Sequence, residues 1–173
     1  SAARGLASGF GAMWLTWGQI GPLLAGAAIS NGLVQAIKAG SQFEQSLASI
    51  RYLGGESEQA VAGIGRAALE MARSGPVGPL EIAEAFKTLS LAGLNAKEQM
   101  EAIKPVMNFS LAGEIEIKKA AESLTAISTA FGYNAMGFGA VGDVITKAAA
   151  ISMSSVGDMA EAFKQASTVA QQF

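Results

Sequence analysis

The side chains that could do chemistry in this 173-residue chain are few, and the most regular are three carboxylates, Glu84, Glu122 and Glu161, placed 38 and then 39 positions apart. Repeated carboxylates can act as general acids and bases or as oxygen ligands for a hard cation. Their neighbours give them a plainer role. Glu84 with Lys87 and Glu161 with Lys164 stand three residues apart, the spacing of surface ion pairs along a helix. A second candidate is Gly137-Phe138-Gly139-Ala140-Val141-Gly142, which has the dinucleotide-fingerprint spacing, with Glu161 lying 19 residues further on. That motif works only where a strand delivers the glycine turn to a helix N-terminus beneath a pyrophosphate, and here a helical pattern ending at Gly132 precedes it. Zero Cys and zero His remove the thiolate nucleophile, the usual general base and the commonest metal ligands. No serine is accompanied by a base in a recognisable motif, and no phosphate-binding loop occurs. No catalytic, cofactor-binding or metal residue is assigned, and enzymatic activity is not expected.

The elements that carry these residues read as helices throughout. Half the chain is hydrophobic but only 7% is aromatic and 15% charged, against ~25% charged in ordinary soluble domains. Its 34 Ala and 21 Gly favour closely packed helices over a broad core filled by rings. With 12 basic and 14 acidic residues, the net charge of -2 offers no electrostatic footprint for a phosphate backbone, so sequence-specific nucleic-acid binding is not expected. No alternating β-branched run predicts a strand. Apolar periodicity and end signals predict helices at residues 56–73, 80–92, 96–111, 115–131, 137–151 and 156–171. Gly78-Pro79 forms a start, Asn95 with Glu98 and Ser155 with Asp158 form capping boxes, and Gly93, Gly113 and Gly132 occupy left-handed C-cap positions. Pro105 predicts a kink or a restart within its helix.

Charge divides the chain at residue 40. Arg4 is the only charged residue before Lys38, which leaves 33 uncharged residues from Gly5 to Ile37. Residues 1–40 thus read as a Gly/Ala-rich hydrophobic helical segment and residues 41–173 as a helical core, together a fragment of a longer chain. The uncharged run is long enough for a bilayer, which takes ~20 apolar residues, and Trp14, Trp17, Leu23 and Leu24 are its candidate membrane-facing residues. Gly18, Gln19, Gly21, Pro22 and Asn31 interrupt the run, as suits a buried packing segment.

A helix from about Leu23 to Leu53 crosses that boundary. Ile29, Leu33, Ala36, Gly40, Phe43, Leu47 and Ile50 follow 4-3 spacing, a heptad seam, flanked by the small residues Ala28, Gly32, Ala36 and Gly40 at four-residue intervals. The seam is a candidate self-association surface. An intrachain hairpin satisfies the same pattern.

Beyond residue 54 the sequence repeats. Glu81-Ile82-Ala83-Glu84-Ala85-Phe86-Lys87 returns 77 positions later as Asp158-Met159-Ala160-Glu161-Ala162-Phe163-Lys164, with five identities in seven. Ala121-Glu122-Ser123-Leu124 is a weaker copy midway, and Gly93-Leu94-Asn95-Ala96 matches Gly132-Tyr133-Asn134-Ala135. A 38 to 39 residue period predicts stacked helical pairs, each burying its apolar face on the next. The repeat core is then Ile82, Phe86 and Leu89, next Leu124, Ile127 and Phe131, and last Met159 and Phe163. The fold class is all-α, a long heptad-bearing helix followed by stacked helical pairs.

Several blocks of residues carry a resemblance. Phe43-Glu44-Gln45-Ser46-Leu47-Ala48 comes first, then Ala85-Phe86-Lys87-Thr88-Leu89 leading to Leu91-Ala92-Gly93-Leu94-Asn95-Ala96-Lys97-Glu98. Leu124-Thr125-Ala126 precedes Ala130-Phe131-Gly132-Tyr133-Asn134-Ala135, and Asp143-Val144-Ile145-Thr146-Lys147-Ala148-Ala149 precedes Ser154-Ser155-Val156-Gly157-Asp158-Met159. In this order and spacing they resemble the core region of the tail tape measure proteins of long-tailed bacteriophages and prophages. Ser74-Gly75-Pro76-Val77-Gly78-Pro79 departs from the more polar loop usual there. The resemblance implies a long helical chain inside the tail tube or tip that sets tail length during assembly. It implies release at infection to assist DNA passage across the host envelope. The partners implied are further copies of the chain, expected as a trimer, tail tube and tail tip proteins, and the host membrane at infection. No cofactor and no catalytic residues carry over. The alternative is a membrane-active helical module that inserts into a bilayer.

Overall fold

In the computed structural model the chain is described from residue 27 to residue 170, with side-chain environments from residue 34. The described residues form α1 (Ala27–Leu53), α2 (Glu58–Ser74), α3 (Pro79–Leu91), α4 (Ala96–Gly113), α5 (Ile117–Ala130), α6 (Phe138–Ser152) and α7 (Val156–Ala170), with a short 3-10 turn at Ala135–Gly137 before α6. No strand occurs among them. The all-α expectation holds, and the helix boundaries fall within a few residues of those read from periodicity.

Local chemistry explains where α2, α3, α4 and α7 start. The Ser57 hydroxyl accepts from the Ala60 N–H at 3.2 Å. Pro79 occupies the first turn of α3, where its missing N–H is harmless, and Glu81 Oε2 accepts from the Gly78 N–H at 2.8 Å. At α4 the Asn95 side chain accepts from the Lys97 and Glu98 N–H groups, while Glu98 returns an acceptor to the Asn95 N–H at 2.8 Å. Ser155 accepts from the Asp158 N–H at 3.0 Å and donates its hydroxyl to that carboxylate at 2.7 Å. Satisfying orphan donors in this way stabilises each helix start by about 1 kcal/mol.

Helix ends bring one correction. Gly93 (φ 90°) and Gly132 (φ 73°) take the left-handed conformation expected of them, but Gly113 remains helical and Glu114 takes it instead (φ 51°). Gly113 is small for a different reason, since a Cβ there would lie 2.9 Å from Val156 Cγ1, so this glycine lets α7 approach. Met153 (φ 57°) adopts the same conformation 39 residues after Glu114. The turns also share hydrogen bonds at that offset: Leu94 N–H donates to Leu89 O and Tyr133 N–H to Ser128 O, while Ile115 N–H donates to Ser110 O and Ser154 N–H to Ala149 O. Pro105 does not restart its helix, since α4 runs unbroken from Ala96 to Gly113.

Packing follows chain order. From α2 onward each helix packs on the next and, where there is one, on the next but one, and α4 also reaches α7. The core runs through this stack. Ile82, Phe86, Leu89, Leu124 and Ile127 are at most 2% exposed, and Met159 and Phe163 are half-buried against them. Each large apolar side chain fully buried in this way contributes roughly 1.5–3 kcal/mol. Phe131 departs from the predicted stripe and is 50% exposed. It lies one residue beyond α5, with φ -96° and ψ 9°, so the helical phase that carried the stripe has already ended.

The C-terminal part of the heptad seam is also settled. Ile50 is fully buried in the core, and Phe43 and Leu47 pack against it. A Cβ on Gly65 of α2 would lie 2.9 Å from Leu47 Cδ1. Ile50 is thus taken up by intrachain packing, while Phe43 and Leu47 are committed to it in part. Ala36 is exposed, and a Cβ on Gly40 would meet nothing within 4 Å. Ile29 and Leu33 lie on α1, but their side chains are outside the described residues.

Candidate interaction surfaces

The three repeated carboxylates are not brought to one place. Glu84 and Glu122 line a surface groove of about 320 Å³ between α3 and α5, together with Lys87, Thr88, Leu91 and Lys118. Glu161 on α7 pairs with Lys164 at 3.7 Å, as its spacing predicts. Glu84 and Lys87 do not form an ion pair of this kind among the described residues; both face the groove. Two acids and two lysines leave its lining formally neutral. No group of three or more metal-capable side chains gathers among the described residues.

The glycine-rich segment of residues 137–142 is helical. Gly137 closes the 3-10 turn and Phe138 begins α6. A Cβ on Gly142 would lie 3.4 Å from Phe109 Cδ2, and Phe138 is 2% exposed, so this segment serves helix packing.

Charged contacts elsewhere are local and exposed. Arg51 meets Glu58 at 3.5 Å across the α1–α2 turn, and Lys119 meets Glu116 at 3.9 Å. Exposed pairs of this type contribute about 0.2–1 kcal/mol. Such pairs tune a surface without fixing it.

The more distinctive surface feature is apolar, and periodicity does not reveal it. Several large apolar side chains in the last turns of the helices and in the connections that follow them are exposed. They are Tyr52, Leu53, Leu91, Leu111, Phe131, Tyr133, Ile151 and Met153. Ile151 and Met153 are 85% and 95% exposed, values that no core role explains. These residues sit in last turns and connections, where an apolar residue breaks no 3.6-residue pattern and so gives no signal.

Trp14, Trp17, Leu23 and Leu24, the candidate membrane-facing residues, lie outside the described residues. Among the described residues no helix is long and apolar enough to cross a membrane.

Taken together, these surfaces belong to an all-helical stack with no gathered catalytic constellation among the described residues. The chain is 28% identical over 170 residues to the tape measure protein of Pneumococcus phage Dp-1, an alignment that takes in 98% of this chain and 14% of that protein. The chain thus spans about one-seventh of the length of that curated relative. No solved structure matches it. Residues 65–173 match the phage-related minor tail protein family, a stretch that holds α3 to α7 and the repeated turns. The chain therefore belongs to the phage-related minor tail protein family, as a region of the tape measure type.

Proposed function

We propose that this region works within a protein that sets tail length during assembly and is released at infection to assist DNA passage across the host envelope. A structural role in the phage tail follows from family membership. The ruler reading is carried by the similarity of this chain to a much longer tape measure protein, since a helical chain laid out along one axis has an extent proportional to its residue count. Tail tube and tail tip proteins are the proposed partners, and the tube or tip the proposed location, with the host membrane met after release.

Tail length in electron micrographs tests this reading. An in-frame deletion in a helical region of the parent chain outside this segment is expected to shorten the tail by ~1.5 Å per residue removed. An unchanged tail would overturn the ruler role.

Self-association, as a trimer, is proposed through the seam of Ile29, Leu33, Ala36, Gly40, Phe43, Leu47 and Ile50, of which Ala36 is exposed and Gly40 has open space beside it. The open space beside Gly40 suits a test by substitution, because a Cβ there meets nothing within 4 Å, and Gly40→Leu places a bulky side chain on the seam. The substitution is expected to shift the sedimentation profile of the chain toward monomer. A profile identical to the parent's would remove this surface from consideration.

A further inference from the structure

Three helices carry one stripe in one register. On α3 it is Ile82, Phe86 and Leu89, on α5 Ala120, Leu124 and Ile127, and on α7 Met159, Phe163 and Ala166, at offsets of 38 and then 39 residues. The six on α3 and α5 are at most 2% exposed. On α7, Met159 and Phe163 are only half-buried and Ala166 is exposed. The adjoining face of the same helix is nevertheless seated, for Ala160 and Ser167 are 1% and 4% exposed, much like Ala121 and Ser128 on α5. One side of α7 is packed and the other is open.

Packing order supplies the reason. α3 packs on α4 and α5, which follow it, as well as on α2, and α5 packs on α6 and α7 as well as on α3 and α4, so each fully buried stripe lies on a helix with neighbours on both sides in the chain. Among the described residues α7 packs on α4, α5 and α6, all of which precede it. Helical stacks must cover such a face to remain soluble.

We propose that the face formed by Met159, Phe163 and Ala166 is covered by a further helix of the same polypeptide, at about residues 177–191 in the present numbering, which is α6 displaced by one 39-residue period. It takes on α7 the place that α4 takes on α3 and α6 on α5. It presents small or branched apolar residues three and four apart, as α4 does with Ala102, Ile103 and Val106 and α6 does with Val141 and Ile145. Two observations favour a segment of the same chain over a second copy. The relative that aligns with this chain is about seven times longer, so polypeptide is at hand to supply the helix. Three side chains also fall well short of the roughly 800 Å² per partner that a stable interface between separate molecules buries, whereas a tethered helix loses no translational freedom on docking.

The chain contains no cysteine, so Ala166→Cys introduces a unique thiol. Its reaction rate with a maleimide is compared between the 173-residue chain and the chain lengthened by about twenty residues of its natural continuation, the reach of one turn and one helix at this period. The thiol is expected to react at least ten-fold more slowly in the longer chain, at every protein concentration. Glu161→Cys, on the exposed face, is expected to react equally fast in both. Adding Phe163→Asp to the lengthened Ala166→Cys chain is expected to restore the fast rate. Equal rates at position 166 in the two lengths would overturn the proposal, as would protection already complete in the shorter chain. Protection that grows with concentration would replace the proposed helix with a second copy.

Discussion

Replacing Phe86 with alanine is expected to destabilise the chain by about 3–5 kcal/mol, a large share of the 5–15 kcal/mol typical of a whole domain. Phe86 has no exposed surface and sits in the continuous core with Ile82, Leu89 and Leu124. Removing its ring leaves a cavity that neighbours on rigid helices fill only in part. Phe131→Ala is the matched control. That ring is 50% exposed beyond the end of α5, so its loss is expected to cost under about 1 kcal/mol. Urea unfolding followed by circular dichroism reads both substitutions, and equal shifts in midpoint would refute the assignment of Phe86 to the core and Phe131 to the surface.

The second large effect lies at the junction of α1 and α3. A Cβ on Gly54 would collide with the hydroxyl of Ser90 and lie 2.6 Å from the Ile50 carbonyl oxygen. Gly54→Ala is therefore expected to destabilise by about 1–3 kcal/mol through overpacking. Ser90 makes the test specific. Its Oγ is buried with no hydrogen-bond partner, so Ser90→Ala alone is expected to be neutral or slightly stabilising. In the double variant the smaller residue yields space to the new methyl group, and a coupling of roughly 0.5–3 kcal/mol is expected between the two sites. The contact with the Ile50 carbonyl persists, so recovery is partial. Strict additivity in denaturant titrations would show that the two positions do not touch.

Much of this fold was legible because several independent signals agreed at each helix. Asn95 with Glu98, Ser155 with Asp158, and Gly78 with Pro79 mark starts by hydrogen-bonding chemistry that depends only on neighbours in sequence. Gly93 and Gly132 mark ends for the same reason. The errors arose where one residue type serves two physical purposes. Gly113 reads as a source of backbone freedom, yet its use is its small size beside Val156, and Glu114 carries the left-handed turn. Phe131 continues the apolar spacing of α5, but periodicity cannot show that the helix has stopped one residue earlier. Phe43, Leu47 and Ile50 form a seam that meets an internal partner or an external one by identical 4-3 spacing, and only packing distinguishes the two. The exposed apolar residues at helix ends were invisible for the opposite reason, because Ile151 and Met153 lie where no period is imposed.

The order of packing along the stack has a mechanical consequence. Among the described residues from α2 onward, no helix has a partner more than three elements away in the chain, and all the stronger associations are with the next or the next but one. Tension applied to the two ends of such a stack acts on its terminal helix first. When that helix is α7, it leaves by breaking its contacts with α4, α5 and α6, which remain packed on one another. The work of extension is then divided into small successive steps instead of one cooperative rupture. Each released helix is only 13 to 18 residues long, so once its packing is gone it is marginally stable on its own, and unpacking one helix leads directly to unwinding it.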